Sequence, residues 1–146
     1  MAVMPVERGK IREYAIATKN ERPEYVEDPR ASIPPTFLAT VVFWDNRLRP
    51  MTERPEVLDA CRQVGIEPDI TNFLSLEQEY VFHGPPPRAG DILETVPRFD
   101  RVVTKDGPRS RMVLIHMAME FRGPDGTLRA ECLYTSAYRT VLEPAS

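Results

Sequence analysis

A chain of 146 residues has the length of one domain able to bury a single core, so residues 1–146 are expected to form a single domain. Hydrophobic residues make up 42% and charged residues 28%, the balance of a globular chain and not of a disordered or membrane-embedded one. The net charge of −3, with 19 Lys and Arg scattered along the sequence, supplies no basic stripe for nucleic acid. The N-terminal MAVMPVERGKIREY carries charges where a signal peptide needs an apolar run, so a cytoplasmic location without a membrane partner is expected.

From Val6 to Lys19 the residues Ile11, Tyr14, Ala15 and Thr18 recur at the spacing of one helix face, which predicts a helix of about three turns. Pro23, Pro29, Pro34 and Pro35 then predict a loop over residues 20–35. The run TFLATVVFW has the β-branched and aromatic content of a buried strand, but so short an apolar run is equally compatible with a buried helix. Residues 45–54 are polar and irregular. PEVLDACRQVG opens on a proline and closes on Gly65, the start and stop signals of a short helix.

Beyond residue 72 the period changes to two. FLSLEQEYVFHG alternates, AGD turns the chain into ILETVPRFDRVVTKDG, and RSRMVLIHMAMEFRG places Val113, Ile115, Met117, Met119 and Phe121 on one apolar face. GPDG then leads into TLRAECLYTSAYRTVL, which alternates again and completes a hairpin. Four long antiparallel strands covered on one face by a helix, an α+β arrangement, follow from this order. Pro97 cannot donate to a ladder, which implies an edge or a bulge at that point.

No glycine-rich phosphate loop can be drawn, and His83, His116, Cys61 and Cys132 are not clustered in sequence, so neither a cofactor nor a metal is expected. The two cysteines are expected as buried free thiols. Neither histidine has a neighbouring Asp or Ser that would suggest an acyl-transfer relay.

The ordered segments VERGKIREYAIATKNERPEY, PPTF, YVFHGPPPRAGD and MVLIHMAMEFRGPDGTLRAECLYTSAYR resemble the MaoC-like dehydratases. They are most similar to the FAS1-like dehydratase branch, which includes the non-catalytic subunits of mycobacterial (3R)-hydroxyacyl-ACP dehydratase. The similarity runs from about Val6 to Arg139 and is least over residues 45–72. It implies the hotdog fold, a long antiparallel sheet wrapped around a central helix, with paired domains joining sheets edge to edge. It also implies that PPTFLATVVFW leads into that central helix, apolar on nearly all sides.

Catalytic relatives carry Asp-x-Asn-Pro-x-His after the first helix, where the Asp and His activate the water that adds to the β-carbon of an acyl thioester. Aligned on Pro23, this chain has Asn20 at the Asp position, Arg22 at the Asn and Tyr25 at the His. An amide does not titrate in water and a phenol ordinarily titrates near ~10, so neither replaces a group that must exchange protons near neutrality. Glu21 and Glu24 are the remaining acids of this stretch that could stand in.

The resemblance therefore implies a substrate-binding, non-catalytic subunit of an (R)-specific enoyl-thioester hydratase or 3-hydroxyacyl-thioester dehydratase. Its partner would be a catalytic hotdog subunit carrying Asp-x-Asn-x-x-His, and its substrate acyl-CoA or an acyl carrier protein thioester. Thr36, Phe37, Val41 and Trp44 are the expected acyl-binding residues. Two alternatives are a self-sufficient homodimeric hydratase or thioesterase using Glu21 or Glu24, and a non-enzymatic acyl-thioester-binding protein.

Overall fold

The structure, a computed structural model, describes residues 1–144. In chain order it contains β1 (Ala2–Pro5), α1 (Arg8–Ala17), α2 (Pro23–Val26), 3₁₀ segments Phe37–Phe43 and Arg49–Glu53, and α3 (Pro55–Val64). A 3₁₀ turn at Ile70–Asn72 precedes β2 (Phe73–Phe82), β3 (Ile92–Asp106), β4 (Ser110–Arg122) and β5 (Leu128–Val141). These strands make one five-stranded sheet in the order β1-β3-β4-β5-β2. β2 and β3 are thus consecutive in sequence but not neighbours, and β2 lies outermost beside β5.

The apolar faces expected for the last two strands are buried, and Leu114, Ala118 and Ala137 of the opposite faces are buried as well. Val113, Ile115, Met117, Met119 and Phe121 of β4 are all buried, as are Ala130, Cys132, Tyr134, Ser136 and Tyr138 of β5. β1 was not foreseen. It is an antiparallel pairing of Ala2–Pro5 with Ile92–Thr95, too short to show a period of its own. Ala2 pairs with Thr95, so Pro97 lies past the end of β1, on a stretch of β3 that has no strand on that side among the described residues. The edge position implied by the proline is therefore found.

The chain divides into two compact units. The first comprises Met1–Asn46, Tyr80–Val96 and Met119–Cys132. Its core includes Met4, Ile11, Phe37, Leu38, Leu93 and Phe121, each buried, and full burial of side chains of this size is worth roughly 1.5–3 kcal/mol apiece. α1 turns Ile11 and Ala15, four residues apart, into that core. It ends earlier than Pro23 requires. Lys19 N–H donates to Ile16 O (3.0 Å) and Asn20 N–H to Ala15 O (2.8 Å), the paired bonds of a left-handed helix stop, with Lys19 at φ 56°.

Two expectations are corrected in this unit. Residues 20–35 are not loop throughout, because Pro23 begins the short helix α2 and a proline at the first helical position gives up only an N–H that had no partner. The segment Phe37–Phe43 is helical, as the resemblance implies and against the strand alternative. It is a 3₁₀ segment, however, opened by Phe37 N–H to Pro34 O (3.0 Å), and Phe43 is 83% exposed, so it is not apolar-buried on all sides.

The second unit comprises Arg47–Glu79, Pro97–Ala118 and the chain from Leu133 on. α3 buries Val57, Ala60 and Cys61 and stops at Gly65, whose φ of 71° is the left-handed conformation that glycine adopts without a Cβ penalty. The Arg54 guanidinium stands 4.6 Å over the Phe99 ring and donates to Glu56 (2.8 Å), fixing the entry to α3. Cys61 and Cys132 are free and buried, and burial pushes the Cys61 thiol pKa up.

Candidate functional site

The segment that the resemblance sets against a catalytic loop lies in the first unit. The helix stop at Lys19 leaves Asn20 half-buried, and Tyr25 is half-buried on α2, while Glu21 and Glu24 are exposed. Glu24 lies 3.7 Å from Arg22, a surface pair. Arg8 holds the far end of this segment, its guanidinium donating to the carbonyls of Val26 (3.4 Å), Glu27 (3.2 Å) and Asp28 (3.3 Å). Asp28 is turned to its own backbone, its Oδ1 accepting from Arg30 N–H at 2.8 Å. The loop has a defined path, and it carries an amide at Asn20 and a phenol at Tyr25.

In the same unit, Tyr14, Phe37, Thr40, Phe43 and Trp44 line a groove of about 400 Å³ to which the Lys10–Glu13 pair also contributes. The Tyr14 and Phe37 rings meet edge to face at 5.6 Å. The Tyr14 hydroxyl shares a 2.6 Å hydrogen bond with Thr36 Oγ1 and lies 3.2 Å from Thr36 O. Of the four acyl-binding residues expected from sequence, Phe37 and Trp44 line this groove and Thr36 reaches it through Tyr14. Val41 is fully buried and does not line it.

Asp45 gives no sequence signal beyond an acid after an apolar run, yet it is only 4% exposed. Thr95 Oγ1 donates to its Oδ2 at 2.6 Å, which fastens the end of the 3₁₀ segment, and with it Trp44, to β3. His83 follows β2 and pairs through Nε2 with Glu131 (2.7 Å), a strand-end role consistent with its place in the sequence. Burial beside Cys132 raises the Tyr80 phenol above its ordinary range.

The second unit holds a larger groove of about 740 Å³, whose apolar wall includes Leu48, Ile70, Phe73, Met117, Tyr134 and Tyr138. Phe73 and Tyr138 meet at 5.3 Å. Sequence reading missed it because part of its wall comes from residues 48–70, where the resemblance is least. In the same unit His116 is half-buried with Nδ1 3.3 Å from Thr135 Oγ1. Burial, followed by the charge of Arg101, lowers its pKa and favours the neutral ring. No group of three or more His, Cys, Asp or Glu among the described residues is placed to hold a metal, and no described helix is long and apolar enough to cross a membrane.

Comparison with known proteins matches this arrangement to one family. The sequence model described as FAS1-like, dehydratase domain region, matches residues 2–128. A chain of the C-terminally truncated HadBC (3R-hydroxyacyl-ACP dehydratase) complex from Mycobacterium tuberculosis is 22% identical, with a TM-score of 0.63 over 92% of this chain and 89% of that one. A chain of the ChsH1-ChsH2 complex from the same organism is 17% identical, with a TM-score of 0.64 over 98% and 82%. A MaoC-like dehydratase gives 21% identity and a TM-score of 0.65 over 94% of this chain and 39% of that chain. No protein with a curated description matches the sequence. At these identities the structures establish the fold, the hotdog fold of MaoC-like proteins.

Proposed function

The chain belongs to the FAS1-like dehydratase domain family, and from that premise we propose that it is a substrate-binding, non-catalytic subunit of a heteromeric hydro-lyase. The enzyme would be an (R)-specific enoyl-thioester hydratase or 3-hydroxyacyl-thioester dehydratase acting on acyl-CoA or an acyl carrier protein thioester. In this reading residues 1–146 work as one hotdog domain, and the partner hotdog subunit carries the Asp-x-Asn-x-x-His loop.

The observation that carries the reading is the loop from Asn20 to Asp28. Its path is braced by Arg8 and by the α1 helix stop, while its two key positions hold an amide and a phenol in place of a carboxylate and an imidazole. Hydration needs a base to take a proton from water and an acid to deliver one to the α-carbon, so the pair must come from elsewhere. Glu21 and Glu24 are both exposed, and Glu24 is paired with Arg22 at 3.7 Å.

A partner has a natural place to attach. β2 is the outermost strand of the sheet, and its Leu74 and Leu76 are 38% and 46% exposed. An open strand edge bearing apolar side chains invites pairing with another sheet. The acyl group would lie against Phe37 and Trp44, with Thr36 positioned by Tyr14 and Val41 supporting the wall from the core.

The test uses the complex of this chain with its catalytic subunit. Asn in place of the partner's loop Asp should lower kcat for enoyl-thioester hydration by at least about 100-fold, the usual contribution of a positioned acid or base. The double variant Glu21→Gln/Glu24→Gln in this chain should leave kcat within about twofold. The reverse pattern assigns the chemistry to this chain and defeats the subunit reading.

A further inference from the structure

We propose that Arg30, Arg88 and Arg129 form a binding site for the phosphate of a pantetheine arm, an assignment that rests on the acyl-thioester reading above. The three residues come from distant parts of the sequence: Arg30 and Arg129 bring their guanidiniums to one carboxylate in the first unit, and Arg88 joins it through its backbone. Arg30 Nη2 lies 3.9 Å from Asp91 Oδ1, and Arg129 Nη2 lies 3.6 Å from Asp91 Oδ2. Arg88 binds the same carboxylate by its backbone N–H (2.9 Å) and points its guanidinium Nη1 at Arg30 O (3.2 Å).

The distances matter. At 3.6 Å and 3.9 Å the Arg30 and Arg129 contacts are attractive but longer than hydrogen bonds, which run about 2.7–3.2 Å. Asp91 therefore gathers the guanidiniums without engaging their donors, of which each arginine carries about five. Two guanidiniums beside one carboxylate, with that of Arg88 held against Arg30 O, leave a positive surplus. Glu131, the neighbouring acid on β5, is taken up by His83 at 2.7 Å. A phosphodiester offers several oxygens to forked donors and suits such a cluster better than a second carboxylate would.

The backbone is also shaped for it. Ile33 N–H donates to Pro87 O (3.0 Å) and Ala89 N–H to Ala31 O (2.8 Å), so the segments bearing Arg30 and Arg88 are laced together. Gly90, at φ 95°, lets the Arg30 guanidinium lie across the turn: a Cβ there would sit 3.3 Å from Nη1. Gathering the Arg30 and Arg129 charges at Asp91, and the Arg88 guanidinium at Arg30 O, has a structural use in bracing the loop. The unengaged donors are what a bracing role leaves unexplained.

The arm can belong to coenzyme A or to a carrier protein, and both present a phosphate on pantetheine. The experiment follows Trp44 fluorescence of the full chain, bound to its catalytic subunit, on titration with octanoyl-pantetheine and with octanoyl-4′-phosphopantetheine. The phosphorylated thioester should bind at least about tenfold tighter. The advantage should shrink with salt and vanish in Arg30→Gln/Arg129→Gln, while the affinity for octanoyl-pantetheine stays as in the parent protein. Displacement by 3′,5′-ADP then assigns the site to coenzyme A; a retained phosphate preference without displacement assigns it to a carrier arm. Equal binding of the two thioesters overturns the arginine site and leaves the subunit reading standing. Binding of neither overturns both.

Discussion

The loop from Asn20 to Asp28 and the hairpin of β4 and β5 are held in opposite ways. The hairpin is fixed by what its side chains bury: alternate residues from Val113 to Phe121 and from Ala130 to Tyr138 fill the core. The loop is fixed by its backbone, through the helix stop at Lys19 and the Arg8 bonds to three carbonyls. A segment held by its backbone can exchange side chains without changing its path. That is how a catalytic loop can lose its acid and base and still be recognisable, whereas the same exchange in β4 would cost the fold.

The difference can be pressed from both sides. The largest effect is expected in the hairpin, where Phe121→Ala removes a fully buried ring and should cost about 3–5 kcal/mol in denaturant unfolding. A loss under 1 kcal/mol there would mean that the strands, too, are held by their backbone. In the loop, Arg8→Gln should cost only about 1 kcal/mol, since the contacts are exposed, yet it should speed hydrogen exchange of the Glu27 amide, which bonds to Pro23 O. Unchanged exchange would show that α2 holds itself. Lys19→Gly should act in the other direction and stabilise by about 0.5–1 kcal/mol, because a residue with a Cβ now occupies the left-handed position that glycine prefers. A destabilised variant would argue against that helix stop.

The two regions also differed in how much could be read from sequence. A period of two over thirteen residues of β4 is a strong signal, and its buried face was legible residue by residue. β1 has four residues and exists because β3 is there to pair with it. Pro23 signals loop in the sequence yet starts α2, the ambiguity of a residue that breaks one helix and suits the first position of the next. The β-branched run after Pro35 had no period to betray it; the bond from Phe37 N–H to Pro34 O commits it to a 3₁₀ path.

At the site, the amide of Asn20 and the phenol of Tyr25 were legible because they are local, a matter of which residues follow one helix. Phe37 and Trp44 were legible as apolar residues after that loop. The Tyr14–Thr36 contact, the buried Asp45 and the arginines around Asp91 were not, since partners 22, 50 and 58 positions apart are joined only by the fold.

The most direct measurement is the rate of enoyl-thioester hydration by the purified chain alone, set beside the rate after its catalytic hotdog subunit is added in equal amount. The account predicts no turnover above the uncatalysed background for the chain alone and robust turnover for the pair. Turnover by the isolated chain comparable to that of the pair, abolished by Glu21→Gln or Glu24→Gln, would contradict it.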